Sequence, residues 1–511
     1  MNEPPPLEGY DLFSEDRPLT EAVRREGPPD AEARLGALGR ELGAEALEWG
    51  RLANEHPPRL GRDDEVEFHP AWHALLELGV EQGIHALPWR GGSHVERAAA
   101  FVLLSEVEAG VCCPLSMTHA AVPALRASPE LADEWEPRLT SYLYEPDLAP
   151  AGEKAGALAG MSLTEQQGGS DLRSNETAAR PLADGEAELH GSKWFCSAPM
   201  CDVFLVTAQG PAGLSCYLVP RVLPDGSRNR LRLVRLKDKL GNRSNASAEI
   251  ELEGAWGRLV GEEGRGVPTV AEMINHTRLD CALGSAALMR RAVAEATHHA
   301  AHRAAFGAKL AEQPLMRNVL ADLCLESEAA TALALRVARA YDDEDAPFRR
   351  LATAVAKYWT CKVAPGVVGE ALECLGGNGY VEESALPRLY REAPLNSIWE
   401  GSGNVAALDV LRIARRQPEA VEAFLAELEP ELRPELAPTE EWDARRLAET
   451  LAVALQATLL VRFAPSEVAE LFVASRVHGE HGRAYGTLPE SAGLPAIVER
   501  HRPLAAARVA G

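Results

Sequence analysis

Gly160-Met161-Ser162-Leu163-Thr164-Glu165-Gln166-Gln167-Gly168-Gly169-Ser170-Asp171 is the stretch at which the chain changes texture. Before it the sequence reads as helical. Ala31 to Glu48 is rich in Ala, Leu, Glu and Arg, all good helix formers. Val95 to Gly110 sets Val95, Ala99, Phe101, Val102 and Leu103 among charged residues. The Cys113-Pro114 step is expected to end or bend that helix. After Asp171 the segments are short, β-prone and punctuated by glycine. Asp202 to Thr207 and Leu214 to Val219 are two of them, and Glu249-Ile250-Glu251-Leu252-Glu253 alternates as a half-exposed strand does. Past Gly266-Val267-Pro268 the chain turns helical again. Leu279 to Arg303, Leu315 to Tyr341 and Arg350 to Leu375 are long and Ala-rich, and Asp342-Asp343-Glu344-Asp345 is a charged loop between two of them. With one more helix after Glu400 they suffice for a four-helix bundle. A helical tail follows Pro418, broken at Pro430, Pro434, Pro438, Pro465 and Pro489.

The predicted fold class is therefore multi-domain and mainly α with a central β domain. The expected boundaries are an N-terminal helical domain over 1–155, a middle β domain over 156–268, a helical bundle over 269–418 and a helical C-terminal extension over 419–511. The 511 residues can bury a large core. The formal charge of -24 repels nucleic acid and anionic membrane on average. No apolar run approaches the ~20 residues of a membrane span. The start, Met1-Asn2-Glu3-Pro4-Pro5-Pro6, lacks a secretion signal. Nine scattered cysteines without a CxxC pair suggest neither zinc nor a disulfide framework, so a reduced, cytoplasmic protein without a metal is expected.

Four stretches carry candidate chemistry. In the opening stretch, Thr164 and Ser170 flank Gly168 and Gly169, a combination that presents hydroxyls and bare backbone N–H groups to a flat polar ligand or a phosphate. A serine-type turn without a ligand is the commoner use of such residues. Trp194-Phe195-Cys196-Ser197 sets two aromatics beside a hydroxyl, which serves either a core or a ring-shaped ligand. Arg303-Ala304-Ala305-Phe306-Gly307, with Gln313 beyond, offers a guanidinium that can fork onto a pyrophosphate, although an exposed arginine on an amphipathic helix is the ordinary case. Finally, Trp399-Glu400-Gly401-Ser402-Gly403-Asn404 holds one acid between an aromatic and small residues, just beyond Leu375-Gly376-Gly377-Asn378-Gly379-Tyr380. Such a carboxylate suits a tuned base.

Taken in order, Thr164-Glu165 with Gly169-Ser170-Asp171, then Lys193-Trp194, Lys239-Leu240-Gly241, Arg303-x-x-Phe306-Gly307, Leu375 to Tyr380 and Glu400-Gly401-Ser402 resemble the acyl-CoA dehydrogenase family. The resemblance covers about residues 70 to 415. Arg51-Leu52-Ala53-Asn54, His69 to His73, Lys237 to Ser247 and Pro387 to Glu392 resemble its AidB-like branch, associated with the adaptive response to DNA alkylation. The resemblance implies the family's fold of helical domain, β domain and helical bundle, with FAD as cofactor. It implies that Met161, Leu163 and Thr164 line the flavin ring, that Ser170 lies by the cofactor, and that Trp194 and Phe195 pack on it. Cys196 stands where a hydroxyl is usual near N5, and Ser197 follows one place later. Arg303, Phe306, Gln313, Gly376 and Gly377 are implied to reach the cofactor, those at Arg303, Phe306 and the glycine turn from a neighbouring subunit. Trp399, Gly401, Ser402 and Asn404 complete the cofactor site, and Arg278 is implied at the substrate.

The implied reaction is α,β-desaturation of an acyl-CoA thioester, with Glu400 as the catalytic base and hydride transfer to flavin N5. Burial beside Trp399 would raise the pKa of such a base. Implied partners are an acyl-CoA substrate, an electron-accepting flavoprotein and further copies of the chain in a tetramer. The branch is also linked to double-stranded DNA through its C-terminal domain. From Pro430 onward, however, nine arginines face eleven acids, and a solvated helical face accounts for them equally well.

Overall fold

The computed structural model describes residues 2–436 and 440–504. Pro438, noted above, and Arg508, one of the nine tail arginines, lie outside the described residues. The chain divides into two compact units, each assembled from separate pieces of sequence: one from residues 1–47, 93–107 and 278–511, the other from residues 48–92 and 108–277.

The second unit is built on the β-prone segments. Its sheet has seven strands: β1 (Ala159–Ser162), β2 (Ala178–Pro181), β3 (Glu186–Ser197), β4 (Val203–Gly210), β5 (Gly213–Pro220), β6 (Leu231–Leu236) and β7 (Ser247–Val260). The order is β1-β4-β2-β3-β7-β5, and β5 also pairs with β4, so the sheet closes on itself. Closure leaves fewer unpaired edges. β1 joins parallel to β4, with Ala159 opposite Val203, and β6 joins antiparallel to β7. Every residue from Val203 to Ala208 is buried, as is every one from Leu214 to Pro220, so these apolar runs are the barrel's core strands. Helices Pro70–Glu81, Ala109–Leu125 and Pro129–Leu139 complete the unit.

The first unit is helical. Its main elements are α1 (His94–Val107), α2 (Gly266–His302, which enters this unit at Arg278), α3 (Pro314–Asp342), α4 (Ala346–Cys374), α5 (Gly403–Arg416) and α6 (Ala444–Phe463). Ala, Leu and Val from α2, α3 and α4 share one buried cluster with Ala457, Leu460 and Phe472 of the tail. Arg97 of α1 forks onto Asp280 of α2, with both side chains buried. The tail is tied on by charge as well. Arg476 donates to Glu326 at 2.7 Å, and Arg500 and His501 both contact Glu328 of α3 at 3.0 Å.

Three sequence expectations change. The helix ending near Cys113-Pro114 ends instead at Val107, because the Glu108 carboxylate accepts from the Gly110 N–H at 2.8 Å and starts a new helix that carries Pro114 and Pro123 inside it. The single helix expected over Ala31 to Glu48 stops at Leu42. At Gly43 the chain passes so close to the 7–12 segment that a Cβ would lie 1.7 Å from the Tyr10 carbonyl oxygen. The acidic run Asp342 to Asp345 is not merely a charged loop. The Asp342 carboxylate accepts from Ser93 Oγ and His94 N–H, both at 2.6 Å, and so caps α1.

Candidate functional site

In the barrel unit the chemistry gathers where β1 runs out. Thr164 bridges to Phe195, and the Trp194 N–H donates to the Thr164 carbonyl at 2.8 Å. The β3–β7 register slips between Lys193 and Cys196. That bulge breaks the alternation of faces. Lys193 and Cys196 are both buried, while Trp194 is half-buried and Phe195 exposed. The outward aromatics are attended by Lys237, whose Nζ stands 3.3 Å from the Trp194 ring centroid and 2.6 Å from the Glu249 carboxylate. At Cys196 the thiol is fully buried beside Ser162, and burial pushes its pKa up to about 12; Ser197, one place on, is a half-buried hydroxyl.

Beneath the loop lies a buried ion pair. Lys193 Nζ donates to Glu165 Oε1 at 2.7 Å and to the Thr207 carbonyl at 2.7 Å. Glu165 also accepts the Glu176 and Thr177 N–H groups at 2.7 and 3.1 Å. Burial alone would raise the Glu165 pKa; Lys193 and the N–H donors outweigh it and hold the carboxyl at about 2. Asn175 Nδ2 donates to the Leu163 carbonyl at 2.6 Å, so the backbone around Met161, Leu163 and Thr164 is fixed from below. Ser170 sits exposed at the loop's far end.

In the helical unit the focus is Glu400. It is one of few non-glycine residues with positive φ, at 57°, and Gly401 follows at 99°. A Cβ at Gly401 would lie 2.9 Å from Val405 Cγ1, so the turn has no room for a side chain there. Arg278 Nε donates to the Glu400 carbonyl at 3.0 Å, and Lys357 Nζ donates to the carbonyl of Gly401. The other side of Arg278 bonds Asp409 Oδ2 at 2.5 Å, and Asp409 also accepts from Arg350 at 2.9 Å and from Arg412. Burial would raise the Asp409 pKa; these three arginines reverse that and hold it far below the usual carboxylate range. Arg278, expected at the substrate, is 8% exposed and bonded to the turn and to Asp409. Trp399 fixes its indole by donating to Asn396 Oδ1 at 3.0 Å.

Beyond the turn, Ser402 is the N-cap of α5 without a side-chain cap bond. Arg445 Nε of the tail donates to Asn404 Oδ1 at 2.8 Å, and Lys362 and Arg445 both approach the Gly403 backbone. Elsewhere in this unit, Arg303 donates to the Asn2 carbonyl at 2.7 Å, and Gln313 donates to the Ala305 carbonyl at 2.8 Å, bracing a hairpin of Ala304–Ala305 and Ala308–Lys309. At its tip Phe306, with φ 52°, is fully exposed. Gly376 (φ +60°) and Gly377 form an open turn before the exposed Tyr380.

Each unit by itself fits part of a dinucleotide. The barrel unit offers an aromatic wall with a threonine backbone beside it. The helical unit offers the N-terminus of α5, where Ser402 makes no side-chain cap bond and Arg445 lies on Asn404. The sequence reading missed Lys357, Asp409 and Arg350. Their one signal is a charged residue on the apolar stripe of a helix, as with Asp409 among Ala406, Ala407, Val410 and Ile413.

The tail arginines read differently in three dimensions. Arg445, Arg446, Arg462, Arg476, Arg500 and Arg502 bond to side chains of the same unit, and Arg433 bonds to the Leu428 carbonyl. They brace the extension. Among the described residues no helix is long and apolar enough to cross a membrane.

Three family models match the chain: the adaptive response protein AidB N-terminal domain over residues 2–146, the acyl-CoA dehydrogenase middle domain over 160–255, and the acyl-CoA dehydrogenase C-terminal domain over 264–415. AidB of Escherichia coli K12 is 51% identical over 434 residues, covering 82% of this chain and 80% of its own. Acyl-CoA dehydrogenase family member 11 of Caenorhabditis elegans is 32% identical over 450 residues, covering 80% and 72%. Among solved structures, C. elegans ACDH-11 in complex with C11-CoA superposes with a TM-score of 0.83 at 27% identity, covering 98% of this chain and 92% of that one.

Proposed function

The chain belongs to the acyl-CoA dehydrogenase family, whose members are FAD-dependent, and from that membership we propose that it desaturates an acyl-CoA thioester between its α and β carbons. FAD, when bound, supplies the two-electron acceptor for the departing β-hydride. Within the barrel unit, Thr164, Ser197, Trp194 and Phe195 are the residues that would hold its ring. Glu400 is the group that takes the α-proton. That proton is weakly acidic, so the carboxylate must be aligned with its C–H bond and must not relax away from it.

The observation that carries this reading is the Glu400 turn. A glutamate kept in a left-handed backbone conformation, with its own carbonyl and the next one both held by buried cations, is a base whose approach is fixed. An acyl-CoA is the substrate class, supported by the C. elegans relative solved with C11-CoA. The electrons released call for an acceptor, for which an electron-transferring flavoprotein is the natural class. Phe306 and Tyr380, held out into solvent, support assembly with further copies of the chain into a tetramer. The nine cysteines, all buried, suit a reducing cytoplasm. Seven of the nine tail arginines are engaged within their own unit, which does not favour the alternative of a DNA-protecting flavoprotein.

The test is anaerobic titration of the FAD-loaded chain with a panel of acyl-CoAs. At least one should bleach the flavin absorbance in the wild type and fail to do so in Glu400→Gln. Equal behaviour of the two proteins across the panel rejects Glu400 as the base.

A further inference from the structure

We propose that Lys357, together with Arg278, is a positioning residue for the Glu400 carboxylate, acting by clamping two consecutive carbonyls of the turn that carries it. The inference rests on the reading of Glu400 as the base.

Lys357 lies on α4 in an apolar run, Thr353-Ala354-Val355-Ala356-Lys357-Tyr358, and is 1% exposed. A buried ammonium is costly to desolvate, and a leucine or methionine would pack in its place without that cost. What the lysine does there is donate to the Gly401 carbonyl. Arg278 of α2 does the same for the carbonyl of Glu400. The two peptide units that follow the base are thus tied to two different helices of one bundle.

A non-glycine residue in the left-handed region is strained and persists only where its surroundings over-determine it. Here they do. Arg278 is itself locked by Asp409 on α5, and Arg350 of α4 shares that carboxylate. Three helices therefore converge on the turn, and with its backbone fixed the Glu400 carboxylate moves on side-chain torsions alone. Both Lys357 and Glu400 act electrostatically on the fully buried Cys281 thiol of α2, in opposite senses, which sets the two charges in one neighbourhood.

The experiment uses the full FAD-loaded chain and the variants Lys357→Met, Lys357→Arg and Arg278→Lys, with Glu400→Gln as control. Three quantities are read: the limiting anaerobic rate of flavin reduction by a reactive acyl-CoA, the affinity for an alkyl-CoA thioether that cannot be oxidised, and amide hydrogen exchange of residues 400–403. Lys357→Met should lower the limiting rate about 100-fold while leaving thioether affinity unchanged, and should speed exchange at 400–403. Lys357→Arg should recover part of the rate. Arg278→Lys keeps a charge without the fork and should show the same signature should the methionine variant not fold. Rates and exchange in Lys357→Met equal to wild type, with Glu400→Gln inactive, would overturn the clamp and leave the base standing. A wild type and Glu400→Gln that behave alike would remove the base, and the exchange measurement would still decide whether the clamp exists.

Discussion

Replacing Lys193 with methionine isolates what holds the opening loop in place. The lysine side chain is 0% exposed and its partner Glu165 is 3% exposed, so the substitution leaves a carboxylate buried without its cation. Removing one member of a buried pair costs ~3–5 kcal/mol. Glu165 keeps two N–H donors, from Glu176 and Thr177, and methionine fills most of the lysine's volume. Both push the cost to the lower end, ~3 kcal/mol, or a fall in Tm of ~6–12 °C for a unit of this size. The assay is thermal unfolding followed by tryptophan fluorescence, with Trp194 one residue from the substitution. FAD retention should fall in parallel, because Glu165 follows directly on Thr164. The double variant Glu165→Gln with Lys193→Met removes the stranded charge and should recover part of the loss. A single variant as stable as wild type would refute the claim that this pair anchors the loop.

Other outcomes follow from particular residues. The Glu165 pKa is depressed from the ordinary 4.5 to about 2, so its stabilisation is fully present above pH 4.5 and is lost as pH falls toward 2; acid unfolding of wild type but not of Glu165→Gln should show that component. Gly43→Ala drives a Cβ onto the Tyr10 carbonyl and should destabilise the helical unit by ~1–3 kcal/mol in denaturant titration. Phe306→Ser removes a fully exposed aromatic from a hairpin tip. Sedimentation should show weaker self-association with no loss of thermal stability, and unchanged association would exclude that tip from the interface.

The sequence made some features legible and hid others for physical reasons. Local signals were readable: glycine turns, the alternation in β7, Ala-rich helices, and an acid lodged between an aromatic and small residues. The family's motifs also lie in short contiguous stretches. What could not be read depends on register or on distant partners. The bulge at Trp194-Phe195 exists only through pairing with β7, so the burial of Cys196 was invisible. Nothing local to Arg278 reveals its partner Asp409, which lies 131 residues away along the chain. The tail arginines suited either phosphate contact or a solvated helical face, and the sequence could not show that Arg476, Arg500 and Arg462 sit against Glu326, Glu328 and Glu429. The break at Gly43 needed the 7–12 segment to be folded across it.

The central claim is that Glu400 removes the α-proton of an acyl-CoA. It is tested most directly by exchange at that carbon: the FAD-loaded chain incubated anaerobically in deuterated buffer with an acyl-CoA, followed by mass spectrometry of the recovered thioester. The account predicts deuterium at the α carbon with the wild type and none above background with Glu400→Gln. Equal incorporation by both proteins would contradict it.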